Sequence, residues 1–255
     1  MSVFDELVTW LTDPVNWSGF SGIPIRLLEH LRISAISLLA AAAVALPLGL
    51  YIGHTRRGEV VAVSVANLGR AIPSFAILAL AFPVSLRLGL GLSDWPAIAA
   101  LFLLGIPPIL TNTYVAVKGV DTDTLEAARG MGMSNRELLR SIEIPLAAPL
   151  IVAGVRISAV QIVATATLAA LVAGGGLGRF IVDGFAQGND GMTLAGALLV
   201  AVLAILTEVG FALVERAATP RNERRGLFTT RTHRGDVADP GRPGGDAVLH
   251  AGFSG

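Results

Sequence analysis

The stretch Glu126-Ala127-Ala128-Arg129-Gly130-Met131-Gly132, with Ile142-Glu143-Ile144-Pro145 further on, is a polar, helix-forming island between long apolar runs, and its reading decides the fold. Asp123 stands three residues before Glu126, and Ser134 three before Glu137. At that spacing a capping side chain and a carboxylate satisfy free backbone amides at a helix start. The spacing predicts two short helices. Gly132 supplies the freedom for a sharp turn between them, and Pro145, which has no amide hydrogen, is expected to stop the second helix at Ile144. Leu125, Ala128, Leu138, Leu139 and Ile142 then line one side of a helix-turn-helix foot, with Arg129, Arg136, Glu137, Arg140 and Glu143 turned toward solvent or a partner. Capping and spacing alone leave open whether such a foot docks on something or merely connects two helices.

The surroundings are too apolar for a soluble domain: of 255 residues 53% are apolar and only 15% charged, with a mean hydropathy of +0.67. Runs at roughly 33–53, 60–82, 97–117, 148–172 and 193–215 are each long enough, at about 20 residues, to cross a bilayer. The expected class is therefore all-α, a polytopic membrane protein with five transmembrane helices. A net charge of zero suggests no nucleic-acid partner, and the lack of cysteine excludes disulfides, thiol catalysis and cysteine-held metals.

Five spans put the termini on opposite sides. Placing 54–59, 118–147 and 215–255 in the cytoplasm gathers 13 Lys and Arg there against 4 outside, so the positive-inside rule predicts an outer N-terminus and a cytoplasmic foot. The chain then divides into an outer segment (1–32), a transmembrane domain (33–215) with the foot at about 118–147, and a cytoplasmic tail (216–255). The tail is polar, lacks apolar periodicity and is expected to be disordered. Asp5 and Glu6 stand where a secretory signal carries positive charge, which argues against a cleaved leader. Trp10, Trp17 and Phe20 suit a segment at headgroup depth, or one packed against neighbouring loops.

Polar side chains interrupt three spans. The second holds Asn67, Arg70, Pro73 and Ser74; the third holds Pro107-Pro108, Asn112 and Tyr114; the fourth holds Arg156, Gln161, Thr165 and Thr167. Broken or polar stretches at membrane depth face protein or water, which makes Asn67, Arg70, Pro73, Asn112, Tyr114, Gln161 and Thr165 candidates for a translocation pathway. A single Thr also bonds its own helix readily, so the cluster carries this reading rather than any one member. The run Gly174-Gly175-Gly176-Leu177-Gly178 is not a phosphate loop, since no Lys-Ser or Lys-Thr follows, and reads as a flexible outer turn. His30, His54, His233 and His250 are scattered and form no metal-binding pattern.

Glu126, Ala127, Ala128, Gly132, Ile142 and Pro145 together resemble the EAA loop of ABC-importer permeases, with Ile144 where that family usually has Leu, a swap of similar volume. A wider resemblance, over about 27–220, is to the osmoprotectant branch that carries glycine betaine, choline and carnitine. It rests on Asn67 through Phe75, Pro107 through Tyr114, Glu126 through Met133, Ala166 through Leu171 and Gly174 through Gly178. Two positions depart from that branch: it commonly has Gln-Thr at Arg70-Ala71, and Arg at Thr111. The resemblance implies the type I importer permease fold, and a foot that docks on a cytoplasmic ATPase subunit. It also implies a second permease copy or paralogue, an extracytoplasmic substrate-binding protein, and no cofactor in this chain, ATP being bound by the partner. Contact with membrane lipid, a multi-pass place in the cell membrane and a non-catalytic role complete the expectation. A methionine or other amino-acid importer permease shares the plan. An ion-coupled secondary transporter is a further alternative, though the clearest acidic candidate, Glu208, lies toward one end of the last span.

Overall fold

A computed structural model describes residues 2–90, 93–172 and 174–218, apart from the side chains of Val61, Val65 and Arg70. These residues form α1 (Val3–Thr12), α2 (Ile23–Thr55), α3 (Glu59–Ala71), α4 (Ser74–Arg87), α5 (Trp95–Lys118), α6 (Thr122–Gly130), α7 (Asn135–Leu138), α8 (Ile144–Thr165), α9 (Gly178–Gln187) and α10 (Asp190–Ala218). Short 3-10 stretches lie at Pro14–Trp17 and Ala166–Val172, and a π-helical turn at Leu139–Glu143. No strand occurs among the described residues.

Among the described residues, four helical stretches are long and apolar enough to cross a membrane: α2, α5, the run from Asn135 to Val172, and α10. The pair α3 and α4 makes a fifth if it counts as one bent span, its arms meeting at 86°. The bend falls where the sequence places Pro73. A proline drives the residue before it out of helical geometry, and Ile72 is extended, at ψ 120°.

Several expected boundaries shift. The first span begins at Ile23, with Pro24 in its first turn where a missing amide costs nothing, so the segment expected to lie outside the spans contributes its last residues to α2. Helix α10 runs to Ala218; the rest of the expected tail lies outside the described residues. The third span is not interrupted, because α5 passes through Pro107-Pro108 as one helix. Both prolines are buried against neighbouring helices, where packing holds the backbone that lacks two donors.

The bundle is organised by small residues. Along α2, Ser37, Ala41, Ala45, Gly49 and Gly53 recur every fourth residue and are all buried, a stripe that lets α5 approach backbone to backbone. A Cβ on Gly49 would lie 2.6 Å from the Thr113 Cβ, and one on Gly53 would lie 2.7 Å from that of Val117, so α2 and α5 run parallel in close register. Helix α8 crosses α5 antiparallel: Gly154 sits against Asn112 and the Pro108 carbonyl, while Ile162 and Ser158 sit against Gly105. There the Ser158 hydroxyl donates to the Gly105 carbonyl at 3.0 Å. Arg156 of α8 pairs with Glu215 at 2.9 Å and Glu208 at 3.6 Å on α10, which accounts for the charges inside the last two long helices.

Helix α1 starts with a Ser2–Asp5 capping box and packs on α10. Trp10 presents its ring to Phe180, centroids 5.1 Å apart, and so is a packing residue. Trp17 and Phe20 are exposed.

Candidate functional site

The foot forms with two changes. Its first helix is capped by Asp121, not Asp123: the Asp121 carboxylate accepts from the Asp123 and Thr124 amides and from the Thr124 hydroxyl. The second start is the expected capping box, with the Ser134 amide donating to Glu137 at 2.7 Å and the Glu137 amide to the Ser134 hydroxyl at 3.4 Å. Bonds from Thr124, and for Glu137 from Ser134, hold both carboxyls below their usual values. Each cap therefore stabilises the foot at neutral pH and is lost only as pH falls through those lowered values. Gly132 has φ +89°, and its amide donates to the Arg129 carbonyl at 2.9 Å.

Val120, Leu125, Ala128 and Leu138, with Met133 and Ile142, make a small core inside the foot. Of the six expected coupling residues, Ala128 and Ile142 thus belong to its frame. Glu126, Ala127 and Gly132 lie on its exposed tip, and Pro145 is exposed at the start of α8. The tip also presents Met131, 77% exposed, which the sequence reading passed over; a large apolar side chain left bare on a well-packed motif is the one available signal.

Pro145 does not end the second foot helix. A π-helical turn precedes it, in which the Ile144 amide donates to the Leu139 carbonyl five residues back, and α8 continues from there. The wider turn leaves room for the proline ring, so the foot is joined to α8 without a break. It also shifts the register. Buried positions step from Leu138 to Glu143 to Ala147, five and then four residues, so Glu143 turns inward at 3% exposure instead of facing out with Arg136 and Arg140. There Glu143 meets Nδ1 of His54, in the last turn of α2, at 2.6 Å.

The candidate pathway residues do not form one cluster. Asn67, Pro73 and Gln161 are exposed, and Asn112 and Thr165 half-buried. The Asn112 amide donates to the Pro108 carbonyl at 2.8 Å within α5. Gln161, beside Ile162, stands near the level of Gly105, two turns or about 10 Å along α5 from Asn112. Thr165 lies with Ser74 at a small void beside the α3–α4 bend. Tyr114 faces the other way, into the core formed with Ala41, Ala45 and Ala62. The Arg70 side chain lies outside the described residues.

At the end of the bundle away from the foot, the glycine run is pinned rather than flexible. The Gly176 amide donates to Glu29 at 2.8 Å and the Gly175 amide to Asp94 at 3.3 Å. Arg26 and Arg32 pair with those two carboxylates. Gly176, at φ +96°, packs on the His30 ring. Nε2 of that ring donates to the Val163 carbonyl at 2.9 Å.

The profile of the family described as binding-protein-dependent transport system inner membrane component matches residues 45–220. The choline transport system permease protein OpuBB of Bacillus subtilis (strain 168) is 39% identical over 77% of this chain and 88% of its own length. The glycine betaine/carnitine/choline transport system permease protein OpuCB of the same strain is 40% identical over 76% and 87%. The carnitine transport permease protein OpuCB of Listeria monocytogenes is 38% identical over 76% and 86%. Among solved structures, a chain of the MetNI methionine ABC transporter in an inward-facing conformation superposes with TM-score 0.70 at 23% identity, over 82% of this chain and all of that one. That likeness bears on the fold.

Proposed function

The chain belongs to the binding-protein-dependent transport system inner membrane component family, and from that premise we propose that it is the permease half of an ATP-driven importer of osmoprotectant quaternary ammonium compounds. The observation that carries the substrate class is the identity of about two residues in five, spread over three quarters of the chain, with relatives named for choline, glycine betaine and carnitine. In this reading the exposed foot tip, Glu126, Ala127, Met131 and Gly132, docks on a cytoplasmic ATPase subunit. The chain itself hydrolyses nothing and holds no cofactor. A second permease completes the pathway, and a binding protein delivers substrate on the other side. Lipid covers the apolar face of α10, where Leu198, Val202, Ile205, Leu206, Val209 and Leu213 are exposed.

The orientation follows from the basic asymmetry: foot inside, N-terminus outside. Alkaline phosphatase fused at Ala218 is expected to be inactive; an active fusion would overturn both the orientation and the ATPase contact.

The test of the substrate class is uptake by proteoliposomes holding the chain with its ATPase and binding protein, offered labelled glycine betaine, choline, carnitine and methionine. Uptake of methionine alone would overturn it. We assign affinity mainly to the binding protein, since permanent cations are held by clustered aromatic rings, and Tyr114, the one aromatic on the pathway list, is buried in the core.

Arg70 supports a finer expectation. By sequence it falls about 16 Å into the second apolar run, near the middle of a core about 30 Å thick, where an unpartnered charge costs at least ~2.5–3.5 kcal/mol. A guanidinium beside the route repels a cation that has no carboxylate. Arg70→Gln is expected to raise choline uptake relative to glycine betaine, with normal insertion; an unchanged ratio with binding protein in excess would remove Arg70 from the pathway.

A further inference from the structure

The foot is packed within itself, and against the end of α2 it leaves a cleft of about 280 Å³ lined by Thr55, Arg56, Thr122, Leu125 and Arg129. His54 and Glu143 line the same cleft and meet each other there. Glu143 is buried, at 3% exposure, in the π-turn that joins the foot to α8, and its carboxylate meets His54 at 2.6 Å across 89 residues of sequence. A carboxylate so placed is held strongly, because leaving it without its partner in a low-dielectric site costs more than the contact itself gains.

His54 stands on a rigid post. Its neighbour Gly53 is seated against Val117 and the Tyr114 carbonyl, with no room even for a Cβ, and α2 runs unbroken from there through Pro47 back to Ile23. At about 1.5 Å per residue the helix is roughly 50 Å long. Its far end carries Glu29 and His30, the two α2 side chains that hold Gly176. One continuous helix, braced on α5 by Ser37, Ala41, Ala45, Gly49 and Gly53 on both sides of Pro47, thus touches the foot at one end and the glycine loop at the other, each time through a buried or half-buried polar side chain.

We propose that the His54–Glu143 pair makes α2 a transmission rod, carrying movement of the foot to the glycine loop at the opposite end of the bundle. This rests on the reading of the foot as the ATPase-facing element. His54 and Glu143 are positioning residues: they touch neither substrate nor nucleotide and act by keeping the foot and α2 moving together.

The test uses the full complex in proteoliposomes and reads substrate imported per ATP hydrolysed. His54→Leu and Glu143→Ala are each expected to lower that ratio about tenfold with the ATPase still bound, the scale of losing a charge-assisted hydrogen bond. The double variant should fall no further, because both changes remove one contact. His54→Asn, which places an N–H close to the position of Nδ1, and Glu143→Gln, which keeps hydrogen-bonding reach, should retain at least half the normal ratio. Glu143→Asp keeps the charge but loses the reach, and should uncouple; it decides the matter if the Leu and Ala variants fail to insert.

A second readout follows the far end. The chain has no cysteine, so a thiol introduced by Leu171→Cys, at the half-exposed position just before the glycine loop, can be followed alone. Its rate of labelling by an impermeant reagent should differ between nucleotide-free and ATP-trapped complexes, and His54→Leu should remove that difference. A normal ratio in Glu143→Asp, multiplicative losses in the double variant, or an undiminished labelling difference in His54→Leu overturns the rod. Failure of the unaltered chain to bind any ATPase would instead sink the reading of the foot.

Discussion

Gly132→Pro is expected to abolish ATP-driven uptake while the chain still inserts. At φ +89° the position lies where a proline ring, fixed near −65°, has no access. The substitution also removes the amide that donates to the Arg129 carbonyl at 2.9 Å, the bond that closes the turn between α6 and α7. The turn must open, and the tip carrying Glu126 and Met131 changes shape while the bundle, built from α2, α5, α8 and α10, does not. Uptake should fall to background, with normal amounts of chain in the membrane. Two companions separate shape from chemistry. Gly130→Ala, two residues away and with open space around a new Cβ, should transport within a factor of about two of normal. Glu126→Lys keeps the turn, reverses an exposed charge and should reduce copurification with the ATPase. Normal uptake and copurification in both Gly132→Pro and Glu126→Lys would mean that this loop is not the coupling element.

The second large effect is on the bundle itself. Gly49→Leu should prevent α2 and α5 from closing. Even its Cβ would sit 2.6 Å from the Thr113 Cβ and 3.2 Å from the Leu110 carbonyl, and the latter is helix backbone that cannot rotate aside. Overpacking of this kind costs toward 3 kcal/mol, roughly a hundredfold in the folded-to-unfolded ratio, a large part of the stability of an ordinary domain. Detergent-solubilised chain should show a lower midpoint of thermal unfolding and lose its sharp elution peak. Gly210→Leu on α10, where nothing lies within 4 Å of the Cβ position, serves as the control and should behave as the unaltered chain does. Equal midpoints for the two variants would refute the close α2–α5 seam.

What the sequence by itself determined is what lies in local pattern. Apolar runs of bilayer length and polar punctuation between them made the class readable. Ser134 with Glu137 marked a helix start because both partners of a capping box lie within one turn. Pro73 marked the bend between α3 and α4 because a proline acts on the residue next to it. The Glu-Ala-Ala pattern with Gly132, Ile142 and Pro145 placed the foot, and with it the family.

Tertiary structure decided the matters that depend on distant neighbours. Pro107-Pro108 had every local reason to break α5, but buried among packed helices they leave it continuous. Gly174–Gly178 had the composition of a loose turn until Glu29 and His30 of α2, and Asp94 at the start of α5, were brought against it. Glu143 reads as an outward residue at the spacing of an α-helix. One bond to the fifth residue back, instead of the fourth, turns it inward to His54, 89 positions away. Local propensity sets which helices form; the partner each side chain meets is fixed by packing between segments far apart in the chain, and a single extra residue in a turn is enough to change which face looks in.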